Sequence, residues 1–334
     1  MTAELNSVTR TKTNSKIFAY SNWDIVPVIF GVLHLAYVVF MFLAFKHTPW
    51  WGNLAMGLIY AVSISWNING IAHNFIHNPY FRSNALNRLF SLVESLAIGF
   101  SQTFYDEVHL RHHIGNSDEQ DANGDTIDWL SIYRYSHDGK AENVWAFTFL
   151  AYFRDDAGET LAALEKRNPA DARWGKFEVA CWLGMWATFA VLNWQFMLFF
   201  IPFYYLGQSL SSLNGFYRHY GGNPNLPIAW GVSSYDWLYN VTWFNNGYHA
   251  EHHYRPRVHW TQMKQLHEEI KGEQEKAGVR VIKFPHMLGF LDGSLKGLEQ
   301  SKFFAPKGWK SKRKGADAKL QAKREERELV GTRK

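Results

Sequence analysis

The sequence predicts an all-α integral membrane protein, with four transmembrane helices and a cytosolic histidine-rich helical cap. Three observations lead there. The 334-residue chain holds several apolar runs long enough to cross a bilayer. Its mean hydropathy is only −0.27, so the apolar character is segmental and a large polar part lies outside the membrane. Eight of the fifteen histidines fall in three spaced clusters, each beside an apolar run.

Residues 1–21 form a polar tail with Arg10, Lys12 and Lys16, and lack the short apolar core and small-residue cleavage site of a signal peptide. Residues 22–305 read as the membrane domain. Its first span is 26–45, twenty mostly apolar residues interrupted by His34, which is expected to be a buried histidine facing the bundle. A short turn at 46–51 brings Pro49, Trp50 and Trp51 to the interface. The second span, 52–72, runs straight into the first histidine pair. Residues 84–104 are apolar but carry Arg88 and Glu94. A crossing there would put the first two clusters on opposite membrane faces, so a surface-lying or re-entrant segment is expected. Glu94 then either snorkels to water or partners an imidazole.

The stretch 116–128 is acidic and turn-rich, with Asp118, Asp121, Asp125 and Asp128. It fails as a calcium loop, because the twelfth position from Glu119 is Leu130, and reads as a solvated loop. The chain onward to Arg173 suits soluble helices, amphipathic around Leu150 to Leu164. Residues 177–206 are thirty nearly all apolar residues, too many for one span. Asn193-Trp194-Gln195 supplies a hinge, giving two helices, the second reaching about Leu213. The turns at 46–51 and 193–195 are almost free of Lys and Arg, so the histidine clusters and both termini are assigned to the cytoplasmic face, most simply of the inner membrane. Residues 306–334 carry eleven Lys or Arg against four Asp or Glu, a net +7 that exceeds the +5 of the whole chain. Such a tail is solvated or attracted to anionic lipid or an acidic donor protein. No recognition fold accompanies the charge, which excludes nucleic acid as the partner.

The clusters carry the chemistry. His73 and His77 are spaced i, i+4; His109, His112, His113 and His249, His252, His253 are each spaced i, i+3, i+4. On a helix each set projects from one face. Neutral imidazoles on one face suit iron, zinc and copper alike. His219 follows the last apolar run and is a further candidate ligand, whereas His259 lies outside every cluster. A metal transporter would place its ligands near the midplane on broken helices, and a metal hydrolase needs fewer ligands plus a glutamate base. Ligands beyond the spans, on one side, favour an enzyme. Glu107 and Glu251 are the nearest acidic residues able to orient the rings. The single Cys181 excludes a disulfide, a four-cysteine iron–sulfur site and a zinc ribbon.

The order HxxxH, HxxHH, HxxHH between hydrophobic hairpins, running from about Trp23 to His259, resembles the membrane-bound fatty acid desaturase and hydroxylase superfamily. His219-Tyr220-Gly221 is similar to a fourth box of some members, although Gly215 stands four places before the histidine where a polar residue is common and Asn214 is one position off. The resemblance implies two irons per chain on His73, His77, His109, His112, His113, His219, His249, His252 and His253. It also implies dioxygen as co-substrate and a long acyl or alkyl chain as substrate. Without a fused redox domain, electrons are expected from a ferredoxin- or cytochrome-type donor with its reductase. Desaturation is the leading expectation; hydroxylation and oxidative decarboxylation to a terminal alkene are the alternatives.

Overall fold

The computed structural model describes residues 15–223 and 225–303, together with Leu320. Most of the polar N-terminal tail and the basic 306–334 tail, apart from Leu320, therefore lie outside the described residues. Among the described residues the fold is mostly helical, with two short strands. Helix α1 (Ile25–Ala44) and α2 (Trp50–Asn67) form an antiparallel hairpin across Phe45–Pro49. Asn53 ties that turn, donating from Nδ2 to the carbonyls of Phe45 and Thr48. At twenty residues α1 is about 30 Å long, matching the hydrocarbon thickness. Helix α2 passes without a break through a π-helical turn, Ile68–Ala72, into α3 (His73–His77). A π-turn inserts a residue and re-aims everything beyond it, a frequent device at functional sites.

Helix α4 (Asn84–Ile98) is capped by Ser83 and stopped by Gly99 in the left-handed region at φ 74°. Fifteen residues make about 22 Å, too short to cross, as the surface or re-entrant reading required. Neither expected role of Glu94 holds. It is fully buried against Gly31 of α1, beside the Asn67 that contacts the His34 ring, and neither of its carboxylate oxygens has a hydrogen-bond partner among the described residues. The face of α4 holding Glu94 is covered by α1, which removes it from both water and the clustered histidines. His34 is buried and bonded to Ser63 and Asn67, as expected.

Helix α5 (Gln102–Gly115) carries the second cluster and is followed by the acidic stretch. That stretch is folded rather than solvated. Asp118 accepts from the amides of Ile127 and Asp128, Asp121 from those of Asn123 and Asp125, and Asp125 and Asp128 are buried. Helices α6 (Val144–Arg154) and α7 (Ala157–Arg167) follow, α6 packing along the later span. The apolar 177–206 stretch divides at Asn193, which caps the next helix through Phe196 N. Helix α8 (Pro169–Leu192) precedes it and α9 (Trp194–His219) follows, running unbroken past Leu213 to His219. Three helical stretches are long and apolar enough to cross a membrane: Asn22–His47, Trp50–His77 and Trp194–His219. The chain is thus an integral membrane, all-α protein. Helix α8 does not qualify, because its first ten residues carry Asp171, Arg173, Lys176 and Glu178.

The core between the spans is aromatic: Phe196, Phe200 and Tyr204 of α9 pack against Tyr60 and Ile64 of α2. Gly57 and Gly207 let these two helices close, since a Cβ at Gly57 would strike Phe203 and one at Gly207 would meet the Ala61 carbonyl at 2.9 Å. Beyond α9, β1 (Ser233–Ser234) pairs in parallel with β2 (Val281–Ile282). Helices α10 (Trp237–Thr242), α11 (His249–Tyr254) and α12 (Met263–Ala277) complete the cap.

Candidate metal centre

The eight histidines singled out by spacing and His219, singled out by its place after the last apolar run, all converge. They form two groups: His73, His77, His109, His113 and His252 in one, His112, His219, His249 and His253 in the other, with ligand atoms in each group within 4.8 Å of one another. Each of the two three-histidine clusters is divided between the groups. On α5, His109 and His113 share a face while His112 points across; on α11, His249 and His253 share a face while His252 crosses back. The groups adjoin, with the His113 and His253 rings stacked at 4.5 Å.

The ring nitrogens test whether a metal fits. The Nε2 atoms of His77, His109 and His113 form a triangle with sides of 2.7, 3.0 and 3.1 Å, and His252 Nε2 lies 3.1 Å from His113 Nε2. In the other group the Nε2 atoms of His219 and His249 are 3.0 Å apart. A nitrogen is either donor or acceptor, so a triangle of three must oppose two like roles on at least one side. Two nitrogens each about 2.1 Å from one ion, at right angles, stand about 3.0 Å apart. The buried Nε2 atoms of His73 and His253 have no hydrogen-bond partner among the described residues. Both facts fit a cation in each group.

Protonation state agrees. Burial first, then neighbouring imidazoles and Arg218, hold His249 and His252 well below the ordinary histidine range, and burial and adjacent histidines do the same for His109 and His253. Neutral imidazole is the form that offers a lone pair. Three residues outside the clusters orient the rings. His112 Nδ1 donates to Asp128 Oδ2 at 2.7 Å, His253 Nδ1 donates to Asn116 Oδ1 at 2.5 Å, and the Asn246 amide lies 3.4 Å from His73 Nδ1. Donation from Nδ1, as in His112 and His253, fixes the tautomer that leaves Nε2 free, whereas the Asn246 contact only positions the His73 ring. Burial opposes ionisation of Asp128, but His112 and backbone amides outweigh it and hold its carboxyl below the usual carboxylate range.

Glu107 and Glu251 do not orient the cluster rings as expected. Glu107 pairs with Arg111 and Arg167. Glu251 accepts from Ser233, Tyr235 and His267, each at 2.7 Å, which anchors α11 instead of aiming its histidines. Each lies two residues before or after its cluster's first histidine, about 200° round the helix and on the opposite face. Asp128 and Asn246 gave no sequence signal, being in loops outside any helical register, and Asn116 gave none beyond its place as the residue that ends α5.

One cavity of about 410 Å³ opens on both groups, touching His109, His112, His219 and His249. Its walls include Phe147, Tyr152, Trp182 and Tyr204, and at one end it reaches the exposed Asp155 and Asp156 between α6 and α7. The volume lies within the range of small-molecule sites. Gly215 lines it, and a Cβ there would meet nothing within 4 Å. Asn214 is spent on Tyr239, so the gap in the fourth box leaves open space beneath His219.

Spanning helices, two imidazole-lined sites and a cavity touching both define a membrane-embedded protein with the ligands for a metal centre. The chain belongs to the fatty acid desaturase family, whose profile matches residues 48–285. The two histidine groups are where this chain can bind metal. It is similar to a sphingolipid delta(4)-desaturase DES1-like protein of Arabidopsis thaliana, 24% identical over 233 residues, which is 68% of this chain. The chain spans 66% of the length of that relative, just under two thirds. No solved structure matches.

Proposed function

We propose that the chain is a di-iron oxidoreductase that uses dioxygen to oxidise an unactivated C–H bond in a long acyl or alkyl chain, with desaturation as the outcome. The observation that carries this reading is the pair of buried imidazole groups opening on one cavity with several aromatic and aliphatic residues in its wall. His73, His77, His109, His113 and His252 hold one iron; His112, His219, His249 and His253 hold the other. Iron held there supplies the redox chemistry that activates dioxygen. The protein's own part is to keep the imidazoles neutral and aimed, through Asp128 and Asn116, and to exclude water around them. The cavity walls position the chain, and a shift of about 1 Å would change which carbon is attacked.

Electrons come from a separate ferredoxin- or cytochrome-type donor, since Cys181 is the sole cysteine. Helix α8 makes the fourth crossing with α9, its charged first turns gathered at the cap, where Glu178 accepts from Ser101 Oγ and Thr103 N. The cap and both termini face the cytoplasm. The test is metal analysis and product mass spectrometry on purified protein given a reductase system, in air and under nitrogen. Two irons per chain and a dioxygen-dependent product are expected. Zinc alone with full activity, or turnover under nitrogen without reductant, overturns the reading.

A further inference from the structure

Arg218 lines the cavity beside His219 and is only 4% exposed. Its Nε and Nη2 atoms are buried and have no hydrogen-bond partner among the described residues, and no carboxylate there pairs with it. The other cations on the cavity wall are accounted for. Arg154 is held by both oxygens of Glu142 at 2.7 and 2.8 Å, and Arg134 donates to the Trp129 carbonyl. Leaving a permanent guanidinium buried and unpaired is expensive, and here it also sits beside two groups of metal-binding imidazoles, so its neighbours add positive charge when loaded. An anion must complete this site.

The two free nitrogens identify the anion's shape. Nε and Nη2 form one edge of the guanidinium, the planar fork that grips a carboxylate through two parallel N–H···O bonds. The Tyr239 hydroxyl is within reach of the same guanidinium. The charge along the cavity gives the direction. Its exposed end carries Asp155, Asp156 and Glu159, which repel an anion, while its buried end carries Arg218. The walls between include Phe104, Val108, Phe147, Val179, Trp182 and Tyr204, and suit an alkyl chain.

We propose that Arg218 anchors the free carboxylate of a fatty acid that enters head first, so that the carbons next to the carboxylate face the two histidine groups. This rests on the oxidative reading of the site and narrows its substrate to a chain with a free acid group. A lipid whose headgroup stays at the membrane surface does not meet Arg218.

The test is equilibrium binding to full-length, iron-loaded protein in detergent under nitrogen, where no turnover occurs. Dodecanoate, methyl dodecanoate, dodecanol and dodecyl phosphate compete against radiolabelled dodecanoate, and iron per chain is measured in every sample. Two charge-assisted hydrogen bonds predict that wild type prefers dodecanoate over the ester and alcohol by at least about 100-fold. Arg218→Gln abolishes that preference with its iron retained, and Arg218→Lys restores part of it. Equal binding of acid, ester and alcohol by wild type overturns the proposal, whatever the variants do. So does full preference in Arg218→Gln, and tighter binding of dodecyl phosphate overturns the carboxylate assignment. Product analysis is scored separately. Dioxygen-dependent lipid oxidation without carboxylate preference removes Arg218's role and leaves the enzyme reading standing. Carboxylate preference without any oxidised product does the reverse.

Discussion

Asp128→Asn isolates the one carboxylate that touches a clustered imidazole. Asp128 Oδ2 takes His112 Nδ1–H at 2.7 Å and Ser117 N–H at 2.8 Å, and Oδ1 takes Leu130 N–H at 2.7 Å. An asparagine has one acceptor oxygen, so its NH₂ must face a donor in either orientation. Turned toward Leu130 it leaves one amide unsatisfied; turned the other way it loses both His112 and Ser117. The first orientation costs less, about 1–3 kcal/mol of stability for the stranded amide. It keeps a bond to His112 but removes the negative charge behind that ring. Losing such a partner weakens metal affinity about 10- to 100-fold, or about 1.4–2.8 kcal/mol. The effect is confined to the group of His112, His219, His249 and His253. Ferrous iron titrated into the apo protein, with iron counted by mass spectrometry, should show two sites in wild type. In the variant one site is unchanged and one is weakened by that factor. Two unchanged sites in a folded Asp128→Asn protein refute the reasoning.

Two further substitutions probe the same centre. His219→Ala removes a ligand from one group only, so iron should fall toward one per chain and turnover should be nearly lost. His259→Ala should keep both irons and instead lower thermal stability by about 1–3 kcal/mol, because buried Asp24 loses the His259 Nε2 contact at 2.9 Å and keeps only Trp260 Nε1 and the Ser21 amide. Retention of two irons and near-normal turnover in His219→Ala would remove it from the centre. Gly115→Ala places a Cβ 2.6 Å from the Asp128 backbone nitrogen, whereas Gly272→Ala on α12 meets nothing within 4 Å. The first should cost about 1–3 kcal/mol and displace Asp128 with loss of iron, and the second should stabilise slightly, as melting curves with metal analysis would reveal.

Three of the four expected spans and the eight clustered histidines were legible because both rest on short-range periodicity: apolar runs of bilayer length, and imidazoles at i, i+3, i+4. His219 was read from its place after the last apolar run. The division of ligands between groups was not, because each three-histidine cluster points both ways and only the approach of α9 and α11 to α5 decides which ring goes where. Glu107 and Glu251 misled by proximity in sequence, where helical phase puts them behind the helix. Asp128 was hidden in a stretch that reads as solvent-loving. Its acids are instead consumed by backbone amides, four of them through Asp118 and Asp121. Arg218 gave no signal either, since an arginine beside a histidine after a span looks like an interfacial cation. Its meaning lies in what it lacks among its neighbours.

Splitting the clusters has a consequence for how the centre behaves. Helices α5 and α11 each give ligands to both groups, so any movement of either helix disturbs both sites together. Helix α3 serves only one group and His219 at the end of α9 only the other. The two spans that end in these ligands, the α2–α3 run and α9, are packed together along their length through Tyr60, Ile64, Phe200 and Gly207. The membrane bundle therefore fixes the outer ligand of each group, and the cap fixes the shared ones. A chain lying in the cavity between α6, α8 and α9 touches the bundle at Trp182 and Tyr204 and the cap at His109 and His249. Its position is set by the same packing that sets the distance between the two sites. Substrate placement and metal placement are then one structural problem, solved at the junction of α9 with α5 and α11.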